Sequence, residues 1–224
     1  MCGRYELSKF QGPEIAELFG VRDVPSLAPR YNVAPTQLVA AVRRLPGSPA
    51  PELVMFRWGL VASWAKAVSS RSTTIMARAE TAAEKPAFSA SVRLRRCVLL
   101  ASGFFEWGSD RRPWRFHRSD GKPFGMAGLW DRWTDPAGKV VESCAVLTQA
   151  ANESVAPVHD RMPAIVRAER LASWLDPSQT DAGAALALLR PLDAGELRRQ
   201  PVSRLVNDPR NDDPRVLEES GSSA

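Results

Sequence analysis

The chain has 224 residues, a length that a single domain fills and that suffices to bury a substantial core. Its hydrophobic fraction of 44% and charged fraction of 25% are ordinary for a globular protein, and no apolar run approaches the ~18 residues of a membrane-spanning helix. Lys and Arg number 30 against 25 Asp and Glu, and the resulting charge of +5 permits nucleic-acid binding without requiring it.

The opening MCGRYELSKF places charges where a signal peptide would carry an apolar stretch, so a cytoplasmic location is expected. Cys2, Cys97 and Cys144 make an odd count with no C-x-x-C pair, which argues against a disulfide framework and against structural zinc. His, Cys and carboxylates form no ligand pattern at recognisable spacing, so neither a metal nor another cofactor is expected.

In chain order, a short helix is predicted over Glu14–Phe19, followed by a Pro-rich irregular stretch through Pro35. Runs rich in β-branched and aromatic residues predict strands over Glu52–Leu60, Arg96–Phe105, Trp114–His117, Pro123–Trp130 and Val140–Leu147. Turn signals at Ser119-Asp120-Gly121 and Asp135-Pro136-Ala137-Gly138 separate several of them, as in antiparallel meanders. Ala- and Leu-rich stretches predict helices over Ala79–Phe88, Ala168–Leu175 and Ala182–Leu189. The expectation is one α+β domain over residues 1–217 with a strand-rich core, and a disordered tail from Glu218.

Cys2 follows the initiator Met, and Cys is small enough for that Met to be removed. Residue 2 would then carry a free α-amine beside its thiol. A 1,2-aminothiol condenses with an aldehyde: the amine forms an imine, and the thiol closes it to a thiazolidine ring. With an amine pKa of about 7.7–8.0 and a thiol pKa of about 8.5, both groups are deprotonated together in only roughly a few molecules per thousand at pH 7. Neighbouring acid–base groups would have to supply about a hundredfold, within the range of general acid–base catalysis.

Segments in a fixed order accompany this cysteine: Met1-Cys-Gly-Arg-Tyr5, Tyr31-Asn-Val-Ala-Pro-Thr-Gln37, Arg57-Trp-Gly-Leu60 with Ser63-Trp64, and Ala77-Arg-Ala-Glu-Thr81. Glu84-Lys-Pro86, Arg95-Arg-Cys97, Gly103-Phe-Phe-Glu-Trp107, Ala127-Gly-Leu-Trp130, His159-Asp-Arg-Met-Pro163, Val202-Ser203 and Asn207 through Asn211-Asp212 continue the series. Together they resemble the SRAP family, the SOS response-associated peptidases understood as abasic-site shielding proteins. The resemblance implies an α+β, SRAP-type domain with a barrel-like antiparallel β core and flanking helices. It also implies a groove for single-stranded DNA, with Cys2 as nucleophile and Glu106 and His159 as catalytic partners. An abasic deoxyribose in its open form is an aldehyde, the electrophile that aminothiol chemistry needs. The implied activity is a covalent crosslink to abasic sites, with AP-lyase activity as a further possibility.

The remaining candidates follow from residue type within these motifs. Glu106 would shuttle protons for the amine, and His159 would protonate the sugar oxygen or assist crosslink reversal. His117 is read as a packed or solvated histidine. Arg78 and Arg161 suit phosphate through the planar guanidinium fork, with Arg4 a further candidate beside the nucleophile. Trp64 is expected to stack a base, whereas Trp58 is expected to pack in the core. Asn32, Pro35 and Thr36 are expected to wall the space next to Cys2. Met76 stands where the family usually has the asparagine of Asn-Ala-Arg, and Ala62 replaces a usual proline; the former removes an amide hydrogen-bond donor. Single-stranded DNA containing abasic sites is the expected partner of a monomeric protein with no membrane contact, nucleoid-associated when bound. Three alternatives stay open: an N-terminal-nucleophile hydrolase of the glutamine amidotransferase type, a self-processing peptidase, and a passive single-strand-binding module.

Overall fold

The computed structural model of the chain describes residues 3–9, 12–22, 24–68 and 74–219. Two sheets organise them. The first contains β1 (Arg4–Leu7), β2 (Arg30–Val33), β7 (Gly103–Trp107), β8 (Pro113–Arg118) and β13 (Leu197–Pro201), in the order β13-β8-β7-β1-β2. The second is built on β3 (Leu38–Arg43), β4 (Glu52–Trp58), β6 (Arg96–Ala101), β9 (Phe124–Thr134) and β10 (Val140–Ala150).

Because β10 pairs with β4 on one side and β9 on the other, these five strands close on themselves as β10-β4-β3-β6-β9. Closure removes the exposed edges that an open sheet would present. The mixed α+β class and the barrel-like core expected from the sequence are both present. One feature departs from an all-antiparallel barrel: β4 and β10 run parallel. Short strands extend the barrel, with β5 (Met76–Arg78) and β11 (Arg161–Pro163) on β10, and β12 (Ile165–Val166) on β9.

Burial explains why the strands form where they do. All six residues of β6 are buried, and the middle of β9 and β10 is continuously so, since the barrel wall is covered on both faces. Helices α1 (Gly12–Phe19), α2 (Ala79–Ala82), α3 (Ser89–Leu94), α4 (Leu171–Leu175) and α5 (Ala182–Leu186) lie between strands. From α1, Ile15 and Phe19 enter the core; from α4, Leu171, Trp174 and Leu175 do so.

Several predicted elements change on folding. The run Arg96–Phe105 divides at Ser102 into β6 and β7, which belong to different sheets. Apolar continuity signals burial here but not the change of sheet. The helix predicted over Ala79–Phe88 is only α2 followed by turns, because Pro86 disfavours helical geometry at Lys85. The stretch expected to be irregular through Pro35 contains β2, and β1, β3, β5, β11, β12 and β13 were not anticipated. The predicted tail lies mostly outside the described residues, at 220–224.

A C-terminal strap of residues 202–217 fastens the first sheet from outside. Val202, Val206 and Val216 bury Phe105 of β7, with Tyr31 and Trp107 at the margin. Asp212 accepts the backbone N–H groups of Tyr31 (2.5 Å) and Asn32 (2.8 Å) and pairs with Arg30. The fully buried Asn32 amide donates to the carbonyls of Val206, Asp208 and Asn211 at 3.1, 3.0 and 2.9 Å. Replacing Asn32 with Ala would leave these carbonyls short of donors, each a loss of about 1–3 kcal/mol where burial excludes water. The expected result for Asn32→Ala is a stability loss of about 2–3 kcal/mol in urea denaturation. An unchanged midpoint would show that the strap is not held this way.

Candidate functional site

The site is set by the register of β1 on β7. Arg4 lies opposite Phe105, Tyr5 opposite Phe104 and Glu6 opposite Gly103, so continuing the strand by one residue brings Gly3 level with Glu106. Cys2 itself lies outside the described residues. One further residue spans at most about 3.6 Å, so the first residues of the chain are within reach of the Glu106 carboxyl.

Alternation along β1 gives its two faces different work. Tyr5 and Leu7 enter the main core, where the Tyr5 ring meets Trp58 edge-on at 5.4 Å. Glu6 and Arg115 form a buried ion pair of 2.6 Å toward the strap side. Gly103 leaves room for it, because a Cβ there would come within 2.8 Å of Glu6 Oε1. Removing one partner of such a pair typically costs about 3–5 kcal/mol, so the pair fixes the register strongly.

Glu106 is 1% exposed and sits on β7 among apolar neighbours. Burial raises its carboxyl above the ordinary range, countered in part by the positive amino terminus and by His159. The electrostatic link to His159 brings together two of the expected catalytic residues, one on β7 and one in the loop before β11. His159 follows a run of turns and is partly exposed; its Nδ1 accepts the backbone N–H of Arg161 at 2.9 Å. In the neutral ring that bond leaves the proton on Nε2. The Asp160 carboxylate is also 3.0 Å from Nδ1, but it is largely exposed and free to turn toward solvent.

The second side of the site is the β5-β10-β11 corner. Register places Met76 beside Val146 and Arg78 beside Thr148, while Arg161 lies opposite Ala150. Arg78 is exposed, and its guanidinium makes no hydrogen bond or ion pair among the described residues. Arg161 differs: it grips Glu80 through two bonds of 2.7 and 2.8 Å and donates to the Thr148 carbonyl at 2.7 Å. The Arg161 hydrogen bonds hold the Glu80 carboxyl below its ordinary range. Sequence reasoning did not single out Glu80 or Thr148, since neither carries a signature of its own outside this pairing.

Other expected residues have structural partners. Arg4 donates to Asn32 Oδ1 at 2.9 Å and to the strap carbonyls of Val206 (2.5 Å) and Asn207 (3.2 Å). Asn32 is the strap clamp described above, so both residues tie the strap to the first sheet. Pro35 is half-buried beside the exposed Thr36, whose φ of 74° lies in the left-handed region. Thr36 lines an open cleft of about 610 Å³ with Leu38, Met55, Arg57 and Val140; neither Glu106 nor His159 borders it. Trp58 is fully buried and donates to the Ile75 carbonyl, the packing role expected for it.

Trp64 is 68% exposed. Its loop is nonetheless fixed on both sides: Ser63 N–H donates to the buried Asp131 at 2.8 Å, and the Trp133 indole donates to the Ala65 carbonyl at 2.7 Å. A large ring is therefore held out to solvent on an ordered support. Among the described residues, no three His, Cys, Asp or Glu side chains converge as a metal site, and no helix is long and apolar enough to cross a membrane.

The sequence model of the family "SOS response associated peptidase (SRAP)" matches residues 1–209. The abasic site processing protein YoqW of Bacillus subtilis is 36% identical, over 97% of this chain and 99% of its own length. The abasic site processing protein HMCES of Rattus norvegicus is 30% identical, over 88% of this chain and 66% of its own. Among solved structures, a protein from Bacteroides thetaiotaomicron superposes with a TM-score of 0.83 at 25% identity, covering 98% of this chain and all of that one.

The raised Glu106 carboxyl has a pH-dependent consequence. A group whose folded pKa exceeds its unfolded value contributes stability below the unfolded value and loses it as pH rises through the folded one. Glutamine carries no such linkage. The melting temperature of Glu106→Gln relative to wild type is therefore expected to rise from pH 4 toward neutrality, read by thermal denaturation across that range. A difference that is flat with pH would mean that Glu106 is not destabilised in its charged form.

Proposed function

The chain belongs to the SOS response-associated peptidase family, and from that membership we propose that it processes abasic sites in single-stranded DNA by covalent capture at Cys2. The observation that supports this most directly is the register of β1, which brings the chain's first residues within reach of the buried Glu106 carboxyl. A primary amine and thiol at that point meet a group able to exchange protons with them. The family relatives named above are abasic site processing proteins, and their target in open form is an aldehyde.

The steps balance without an oxidant or a metal. Once Met1 has been removed, the Cys2 amine attacks C1′ of the ring-opened deoxyribose, and the carbinolamine loses one water to give an imine. The Cys2 sulfur then bonds to the same carbon, and the thiol proton passes to the nitrogen, closing the thiazolidine. Glu106 takes a proton from the incoming ammonium and returns one to the departing oxygen. A carboxyl pushed upward by burial suits that exchange better than an ordinary one at neutral pH. His159, whose Nδ1 accepts the Arg161 N–H, serves the sugar oxygen during ring opening and reversal.

Trp64 provides a face for a base flanking the lesion, worth about 1–3 kcal/mol and indifferent to sequence. Arg78, uncommitted among the described residues, is the phosphate contact at the β5 corner. Arg161, tied to Glu80 and Thr148, acts by shaping the His159 turn. Met76 cannot donate the amide hydrogen bond of the usual asparagine, so slower capture is expected here; Met76→Asn should accelerate it.

Purified protein mixed with single-stranded DNA carrying one abasic site should give an adduct that survives denaturation. Cys2→Ala should give none of the Cys2-linked adduct while keeping reversible binding. Glu106→Gln should slow formation by about 10²–10⁴-fold, the range of a lost general acid–base group. An adduct of wild-type yield from Cys2→Ala would remove Cys2 from the reaction, and an unchanged rate in Glu106→Gln would remove the carboxylate.

A further inference from the structure

The face of the first sheet that carries Glu106 continues outward into an arginine-rich platform that no residue assignment above uses. Glu106 lies directly opposite Trp114 on β8, and Trp114 lies opposite Pro201 on β13. Directly opposed residues project from the same sheet face. Arg199 shares that face with Pro201, two residues away, and Arg112 shares it with Trp114. Both arginines converge on the Trp114 ring: Arg112 Cζ is 5.1 Å and Arg199 Cζ 5.3 Å from its centroid.

Neither guanidinium makes a hydrogen bond or ion pair among the described residues. Acids close to them in sequence make other contacts. Asp110 takes the backbone N–H of Arg112 at 2.9 Å, while Asp193 and Glu196 both pair with Arg167. Stacking on an aromatic ring uses the flat face of a guanidinium and leaves its N–H edge open. It also removes part of the side-chain freedom that an exposed arginine would otherwise lose on binding. The ring is half-buried, and with guanidinium groups over it, it is a support for cations more than a surface for a base.

We propose that Arg112 and Arg199, held by Trp114, bind backbone phosphates of the DNA strand where it leaves the Glu106 site over β8 and β13. The inference rests on the single-stranded DNA reading above and extends it: Trp64 holds a base, and this platform holds the sugar–phosphate chain. It gives a role to two arginines that converge on Trp114, the residue paired with Glu106 across β7 and β8. Phosphate fits the geometry because a planar fork matches its oxygens two at a time.

The test is reversible binding of long, unmodified single-stranded DNA at a series of salt concentrations, which needs no chemistry at Cys2. Each phosphate contact contributes about 0.7 to the slope of log affinity against log salt for a single strand. The Arg112→Gln/Arg199→Gln double variant should lower that slope by about 1.4. Arg93→Gln/Arg190→Gln, which removes equal charge from exposed positions on α3 and just past α5, should leave it near the wild-type value. An unchanged slope in the first variant, or an equal fall in both, would overturn the proposal. If the slope falls as expected but wild type forms no abasic-site adduct, the phosphate platform stands and the covalent reading fails. If the adduct forms and the slope is unchanged, the reverse holds.

Discussion

The pairing of β1 with β7 is the constraint on which the rest depends. Four residues, Arg4 to Leu7, make up β1, and they are held by different means. Tyr5 and Leu7 are fixed by the core; Glu6 is fixed by Arg115, and Arg4 by the strap carbonyls. Slipping the register by one residue would turn Glu6 into the core and Tyr5 toward the strap, at a cost no other contact could offset. A reactive group on a free chain end would ordinarily wander, and here the adjoining strand is among the most tightly determined parts of the fold. The strap couples residues near position 210 to the strands that flank β1. Asn32 and Asp212 transmit its hold to β2, which flanks β1.

The charges divide into two populations that composition cannot separate. One set of arginines is internal: Arg4 holds the strap, Arg115 neutralises Glu6, and Arg161 locks Glu80 and the turn that carries His159. Another set makes no ion pair or side-chain hydrogen bond among the described residues, including Arg78 at the β5 corner and Arg112 and Arg199 around Trp114. Only the second set can take up phosphate without first breaking a bond inside the protein. The net charge of +5 does not tell which arginines are open to an anion. Glu106 lies out of water, so its proton affinity is governed by burial and by the few charges beside it.

Much of this organisation was legible in the sequence, in proportion to how local its cause is. The motif order identified the family, and through it the barrel. The burial of Trp58 was also read correctly. What could not be read depends on contacts between distant segments. The strap contacts of Arg4 and Asn32 join segments some 170–200 positions apart, beyond the reach of any local pattern. Arg161 resembles Arg78 in sequence, and only the position of Glu80 tells them apart. β1 and β13 are too short and too charged to show a strand pattern, and both are strands because neighbours supply the pairing. The Trp114 platform is invisible for the same reason, since Arg112 and Arg199 meet only through the β8–β13 register.

The central claim is that the N-terminal aminothiol, delivered by β1 to Glu106, bonds to the abasic sugar through both nitrogen and sulfur. The most direct measurement is peptide mass spectrometry of the protein after reaction with abasic single-stranded DNA, without a reducing agent. The account predicts an N-terminal peptide that lacks Met1 and carries the sugar remnant with the loss of one water. It also predicts that the Cys2 thiol in that peptide no longer alkylates. An adduct found on a lysine, or on a chain that still begins with Met1, would contradict it.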